Sequence, residues 1–213
     1  MKLDYKIFII LLIALANFWI WKIFTQSPFL AIVLILLSIF LILRLKVLSL
    51  ILLVFLSAFL LKNSFDTNLL YVSPLEKDKL ENRHEYYAQS LGRIYKNRIS
   101  IYLHKTVSPY VSRYEKNLAY NLDPNLYFFA SHPRERLGID EFVKFPLIAL
   151  PFFLIGLGVL FSGKYNFLLI YAIASVFVSG FLFPGYRLGP VLMFPFMTVT
   201  LYLGLSRLLQ KFL

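Results

Sequence analysis

The residues best equipped for chemistry fall in one stretch, FFASHPRERLGIDEF, from Phe128 to Phe142. Arg134 and Arg136 carry planar five-donor forks that suit phosphate or carboxylate, His132 adds a titratable donor, and Glu135 can orient an arginine. Arg187, in FPGYRLGPVLMFPF, offers a further fork at another helix junction. The chemistry these types point to is anion recognition: His132, Arg134, Arg136 and Arg187 around an anionic headgroup or a lipid-linked phosphate, with Glu135, Asp140 and Glu141 as supporting acids. The same residues have a plainer reading. His132-Pro133 ends an extended segment, the arginines pair with Glu135, Asp140 or Glu141, and those last two acids sit where a following helix presents its positive dipole end. Phe128, Phe129 and Phe142 then bury beneath them. This collar reading takes precedence, because charges flanking membrane helices are routine.

Other chemical signatures fail on spacing. His84-Glu85 opens like a zinc-protease helix, but the second histidine position holds Ala88. His84, His104 and His132 share no ligand spacing. Gly156-Leu157-Gly158 lacks the third glycine of a dinucleotide loop and falls inside an apolar run, which makes it a helix-packing element. Gly163-Lys164 lacks the upstream glycine of a phosphate loop. The chain has no cysteine, so disulfides and thiolate chemistry are excluded. No catalytic residue, metal ligand or cofactor is assigned.

The elements that must position such a site are set by composition. At 59% hydrophobic and 15% charged residues, the 213-residue chain exceeds the apolar content of soluble domains, about 45–50%. The net charge of +11 is no nucleic-acid footprint, since residues 63–144 hold 12 Lys and Arg against 10 Asp and Glu and the surplus sits at the ends of apolar runs. Nucleic acid is therefore rejected as a partner. A spanning helix needs about 20 apolar residues, and the pattern predicts six spans: Ile7–Phe24, two short helices between Pro28 and Leu61, then Phe145–Phe161, Tyr165–Phe183 and Leu188–Leu205. Arg44 and Lys46 force the break in the second run, since a single helix would hold both cations at the bilayer centre, at about 2.5–3.5 kcal/mol each. The proposed cores hold no acid, histidine or basic residue well inside, which argues against a proton-coupled transporter.

Orientation follows from basic residues in the short ends. Lys2, Lys6, Arg44, Lys46, Lys164, Arg207 and Lys211 would lie inside and Lys22, Lys62 and Arg187 outside, which puts both termini in the cytoplasm and residues 63–144 outside a prokaryotic plasma membrane. Ala14-Leu15-Ala16 has the outline of a signal-peptide cleavage site, but the apolar run continues through Trp21, so an uncleaved anchor is expected.

Residues 63–144 form a cap between membrane segments 1–62 and 145–213. Nine of the 14 tyrosines lie here, their rings suited to a membrane interface and to packing. Ser73-Pro74-Leu75-Glu76 reads as a capped helix start followed by an apolar face of Leu80, Tyr87, Leu91 and Ile94. Ser108-Pro109 reads as a second start, followed by Val111, Tyr114 and Leu118, and Asp123-Pro124-Asn125 ends that helix in a turn.

In the carboxyl-terminal segment, Ala172, Ser175 and Ser179 make a small-residue stripe for close helix contact. Pro146 and Pro151 recur as Pro190 and Pro195, each pair five residues apart at a span's outer end. The second proline of each pair is expected to tilt its helix and open a cleft beneath the cap. Arg187, the prolines and Gly204 together resemble, loosely, the last span of polytopic glycosyltransferases that use lipid-linked sugars, a likeness confined to Phe145–Leu213. It implies sugar transfer from a lipid carrier, yet Lys22–Pro28 contains none of the acids such enzymes carry in their first outer loop. The sequence thus predicts an all-α polytopic membrane protein with six spans and one helical extracytoplasmic insertion between spans 3 and 4. Its expected role is that of a non-catalytic envelope component in the lipid bilayer, docking a protein partner or a second copy through the cap. The alternative is a glycosyltransferase-like enzyme or binding protein for an anionic, lipid-linked phosphate or glycolipid.

Overall fold

The computed structural model describes residues 3–63, 74–92, 97–129, 142–162, 165–182 and 188–212, and every regular element among them is helical. The first apolar run departs from expectation. Instead of one helix, Leu3–Leu15 (α1) and Phe18–Gln26 (α2) meet at a 75° bend. Asn17 makes the break: its Oδ1 accepts the Trp19 N–H at 2.8 Å, capping α2. Trp21 Nε1 donates to the Leu15 carbonyl at 2.8 Å, satisfying an acceptor that the end of α1 leaves open. Ser27 then caps Pro28–Ile42 (α3), with Pro28 in the first turn.

The expected break around Arg44 is present, and Lys46–Asn63 (α4) is a separate helix. With no glycine in the turn, Arg44 itself takes φ 58°, a left-handed conformation that costs about 1–2 kcal/mol.

Within residues 63–144, Pro74–Leu91 (α5) starts at the expected proline; Ser73 and Ile94 lie outside the described residues. The face expected to pack is only half-buried at Leu80 and exposed at Tyr87. Ser108 is not a fresh helix start. Arg98–Tyr102 (α6) continues through a π turn, Leu103–Val107, into Ser108–Leu122 (α7). The wider turn accommodates Pro109, which lacks an N–H and would clash in a regular α-turn. Asp123 stops α7 as expected, its Oδ1 accepting the Asn125 N–H at 2.9 Å, and a short helix, Asn125–Phe128 (α8), follows.

The remaining helices are Ala149–Leu160 (α9), Asn166–Phe181 (α10) and Phe194–Phe212 (α11), the last entered through a 3-10 turn, Val191–Met193. α9 and α11 begin later than the expected Phe145 and Leu188, so Pro151 and Pro195 fall in first turns, where a missing N–H costs nothing. Neither proline therefore stands in a helix interior, and among the described residues the two helices do not splay apart. Instead their backbones touch: a Cβ on Gly156 would overlap the Thr200 carbonyl, and one on Gly204 the Phe152 carbonyl. Small residues are what permit such an approach.

α11 is the central element, buried from Val191 to Gly204, with α1, α3 and α9 against it. α10 packs on α7 and α4, with Ala172, Ser175 and Ser179 buried as the stripe requires. Among the described residues one helix, Val191–Gln210, is long and apolar enough to cross a membrane, or two if the bent α1–α2 pair counts as one span; α3, α9 and α10 are apolar but shorter. The exterior is strongly apolar as well: Phe8, Phe18, Val47, Val54, Ile148 and Ile170 are all exposed.

Candidate functional site

The residues expected to bind an anion, His132, Arg134, Arg136 and Arg187, and their supporting acids Glu135, Asp140 and Glu141, lie outside the described residues. The residues flanking them do not. Of the three collar phenylalanines, Phe128 is buried, Phe142 half-buried and Phe129 exposed.

The flanks converge on Lys144, which stands just before α9 and is 4% exposed. Its Nζ donates to the Leu126 carbonyl at 2.9 Å and lies 5.0 Å from the Phe142 ring centroid and 5.7 Å from that of Trp19. Gly189, at φ 72°, lets the lysine stem pass, because a Cβ there would stand 2.6 Å from the Lys144 Cε. Trp19 is fully buried; its Nε1 donates to the Leu188 carbonyl at 2.6 Å and its ring packs edge-on against Phe145 and Phe194. The Phe145 N–H donates to the Tyr127 carbonyl at 2.8 Å, and Tyr127 OH to the Asn121 carbonyl at 2.7 Å. Burial, followed by the nearby Tyr120 and Asp123, raises the Tyr127 hydroxyl pKa far above its ordinary value. The arrangement fastens α2, α8 and the entries to α9 and α11 to one another. Sequence reasoning grouped Lys144 with the other cap charges; the one signal of its role is its place between Phe142 and Phe145 at the head of an apolar helix.

A second charged grouping lies at the other end of α11, where a cavity of about 1020 Å³ opens among Lys6 of α1, Arg44 of the α3–α4 turn, Arg207 of α11, Tyr165 before α10, Ser206 and Gln210. From Phe194, beside Trp19, to Arg207 is 13 residues, about 20 Å along the helix. The Arg44 guanidinium carbon stands 4.8 Å from the Tyr165 ring centroid, a stacking contact that helps hold the strained turn. Among the described residues lining this cavity there is no acid. Lys6, Arg44 and Arg207 carry orientation charges in the sequence reading; what that reading could not show is that three chain-distant segments bring them to one cavity.

Comparison of the chain with protein-family models, curated proteins and solved structures found no match.

Proposed function

We propose that the chain is a multi-pass integral membrane protein, with six apolar helical segments in a prokaryotic plasma membrane, cytoplasmic termini and residues 63–144 outside, and that it serves as a non-catalytic envelope component docking a partner protein through that cap. The observation that carries the membrane reading is the exposure of large apolar side chains around the bundle, from Phe8 on α1 to Ile170 on α10. Large apolar side chains exposed in such number mark contact with lipid or protein. The helices shorter than about 20 residues are accommodated by local thinning of the bilayer, and α2, turned 75° from α1, suits a position along the interface.

The cap is anchored on the bundle and open beyond it. Tyr114 OH donates to the Phe177 carbonyl at 3.1 Å, and Asn117 Nδ2 to those of Gly180 and Leu182, which joins α7 to the end of α10. α5 packs mainly on the π turn and leaves Leu75, Tyr86 and Tyr87 exposed, the surface on which docking is proposed.

A reporter fused at Gln89 should read outside and one at the carboxyl terminus inside; a cytoplasmic reading at Gln89 would sink the topology. In cross-linked membranes, Tyr86→Ser with Tyr87→Ser should release a stoichiometric protein partner that the wild type retains. Retention by the double variant would remove the docking surface.

A further inference from the structure

We infer that the cavity at the Lys6, Arg44 and Arg207 end of the bundle is a binding site for a membrane lipid with a dianionic phosphate headgroup. Three features carry this. The first is charge. Three cations line one space with no acid among its described lining residues, and a singly charged phosphodiester would leave two of them unneutralised. A phosphate monoester or diphosphate answers the excess and uses the forked donors of two arginines.

The second is construction. Arg44 is held at φ 58° in a turn where glycine would be relaxed. The residue type that relieves the strain would also remove the guanidinium. Strain of this kind, where it persists, clusters at ligand clamps. Tyr165 beneath the guanidinium fixes its direction, and Ser206, Gln210 and Tyr202 add neutral polar groups to the same lining.

The third is the source of the ligand. Ile42, Leu43, Ile155 and Val159 line the cavity beside the charges, and a volume of about 1020 Å³ exceeds the needs of free phosphate and matches a headgroup with the start of its chains. Basic pockets between helices at a membrane face are where lipid headgroups bind. The lipid assignment rests on the membrane reading above; the anion assignment does not.

Gly158 makes the test clean. It lines the cavity, and a Cβ there meets nothing within 4 Å, so Gly158→Phe puts an aromatic ring at the cavity wall while leaving all three cations in place. The full chain in mild detergent would be titrated with dioleoyl phosphatidic acid, with phosphatidylglycerol of the same chains, and with inorganic phosphate, read by native mass spectrometry. Phosphatidic acid should bind at least about tenfold tighter than phosphatidylglycerol. Arg44→Gly or Arg207→Gln should each weaken it about fivefold, the worth of one basic side chain near an anionic surface. Gly158→Phe, with its thermal unfolding unchanged, should weaken it at least about tenfold. Phosphatidic acid affinity left unchanged by Gly158→Phe, or equal affinity for phosphatidylglycerol, overturns the proposal. Equal saturation by inorganic phosphate overturns the lipid assignment, whatever the Gln89 reporter shows.

Discussion

The contact between α9 and α11 makes a demanding prediction, because two glycines, Gly158 on α9 and Gly204 on α11, should respond to alanine in opposite directions. At Gly158 the added Cβ meets open space, so Gly158→Ala keeps the helix-propensity gain of alanine over glycine, about 1 kcal/mol. At Gly204 the Cβ would overlap the Phe152 carbonyl oxygen and stand 3.0 Å from the Gly156 nitrogen. Backbone cannot rotate aside as a side chain does, so the two helices must part along a shared length. Overpacking costs about 1–3 kcal/mol and more when backbone must shift. Taking the upper value and subtracting the propensity gain leaves Gly204→Ala about 2 kcal/mol less stable than wild type. The two variants should therefore differ by about 3 kcal/mol, about a hundredfold in the folded-to-unfolded ratio. Gly156→Ala, aimed at the Thr200 carbonyl, should follow Gly204→Ala. The assay is reversible unfolding in mild detergent titrated with sodium dodecyl sulfate, followed by far-ultraviolet circular dichroism. Similar midpoints for Gly204→Ala and Gly158→Ala would refute the close backbone contact and with it the central place of α11.

Two further outcomes test the attachment of the cap. Asn117→Ala removes the one amide that serves both the Gly180 and Leu182 carbonyls, at 3.0 and 3.1 Å, and should cost about 1–3 kcal/mol. Hydrogen exchange should quicken in α7 and the end of α10 and stay unchanged in α9 and α11; uniform change across the bundle would contradict the assignment. Tyr127→Phe leaves the Asn121 carbonyl without its donor, at about 1 kcal/mol. Because burial raises the folded Tyr127 pKa above 10.0, its contribution is complete below that pH. It is lost as pH rises, when the unfolded tyrosine ionises and the folded one does not. Melting temperatures from about pH 8 to about pH 11 should fall less steeply in Tyr127→Phe than in wild type; equal slopes would place the titrating group elsewhere.

Where local rules suffice, the fold was legible in the sequence. Pro74 and Asp123-Pro124-Asn125 mark helix ends because proline and aspartate act within one turn. The cost of two cations in one apolar helix was enough to split α3 from α4. The bend at Asn17 was harder to read. A single polar residue interrupts an otherwise continuous apolar run, and what makes it decisive is the Trp21–Leu15 hydrogen bond, a contact that periodicity does not encode. The proline pairs misled for a related reason: their spacing was plain, but whether the second falls in a helix interior or a first turn depends on where the helix begins, which tertiary packing sets. The expected anion site lies outside the described residues. The basic cavity was invisible because Lys6, Arg44, Tyr165 and Arg207 come together only through topology.

The choice between collar and site can be argued physically from the cations that the structure does describe. Lys144 is what a fastening cation looks like: buried, donating to a main-chain carbonyl, walled by aromatic rings, with a glycine opposite to make room for its stem. Replacing such a group disturbs stability, because its desolvation is already offset by fixed partners. Lys6, Arg44 and Arg207 differ in kind. They face a volume large enough for a ligand, and one of them is kept in a costly backbone conformation there. Backbone strain of this kind clusters where a side chain clamps a ligand. A cation that lines a space should change binding when replaced, and one that fills a space should change folding. Lys144→Met and Arg207→Gln, measured side by side for stability and for phosphatidic acid binding, separate the two kinds: the first should shift the unfolding midpoint and the second the lipid affinity. An Arg207→Gln variant that loses stability and keeps its affinity would make this end of the bundle a collar as well.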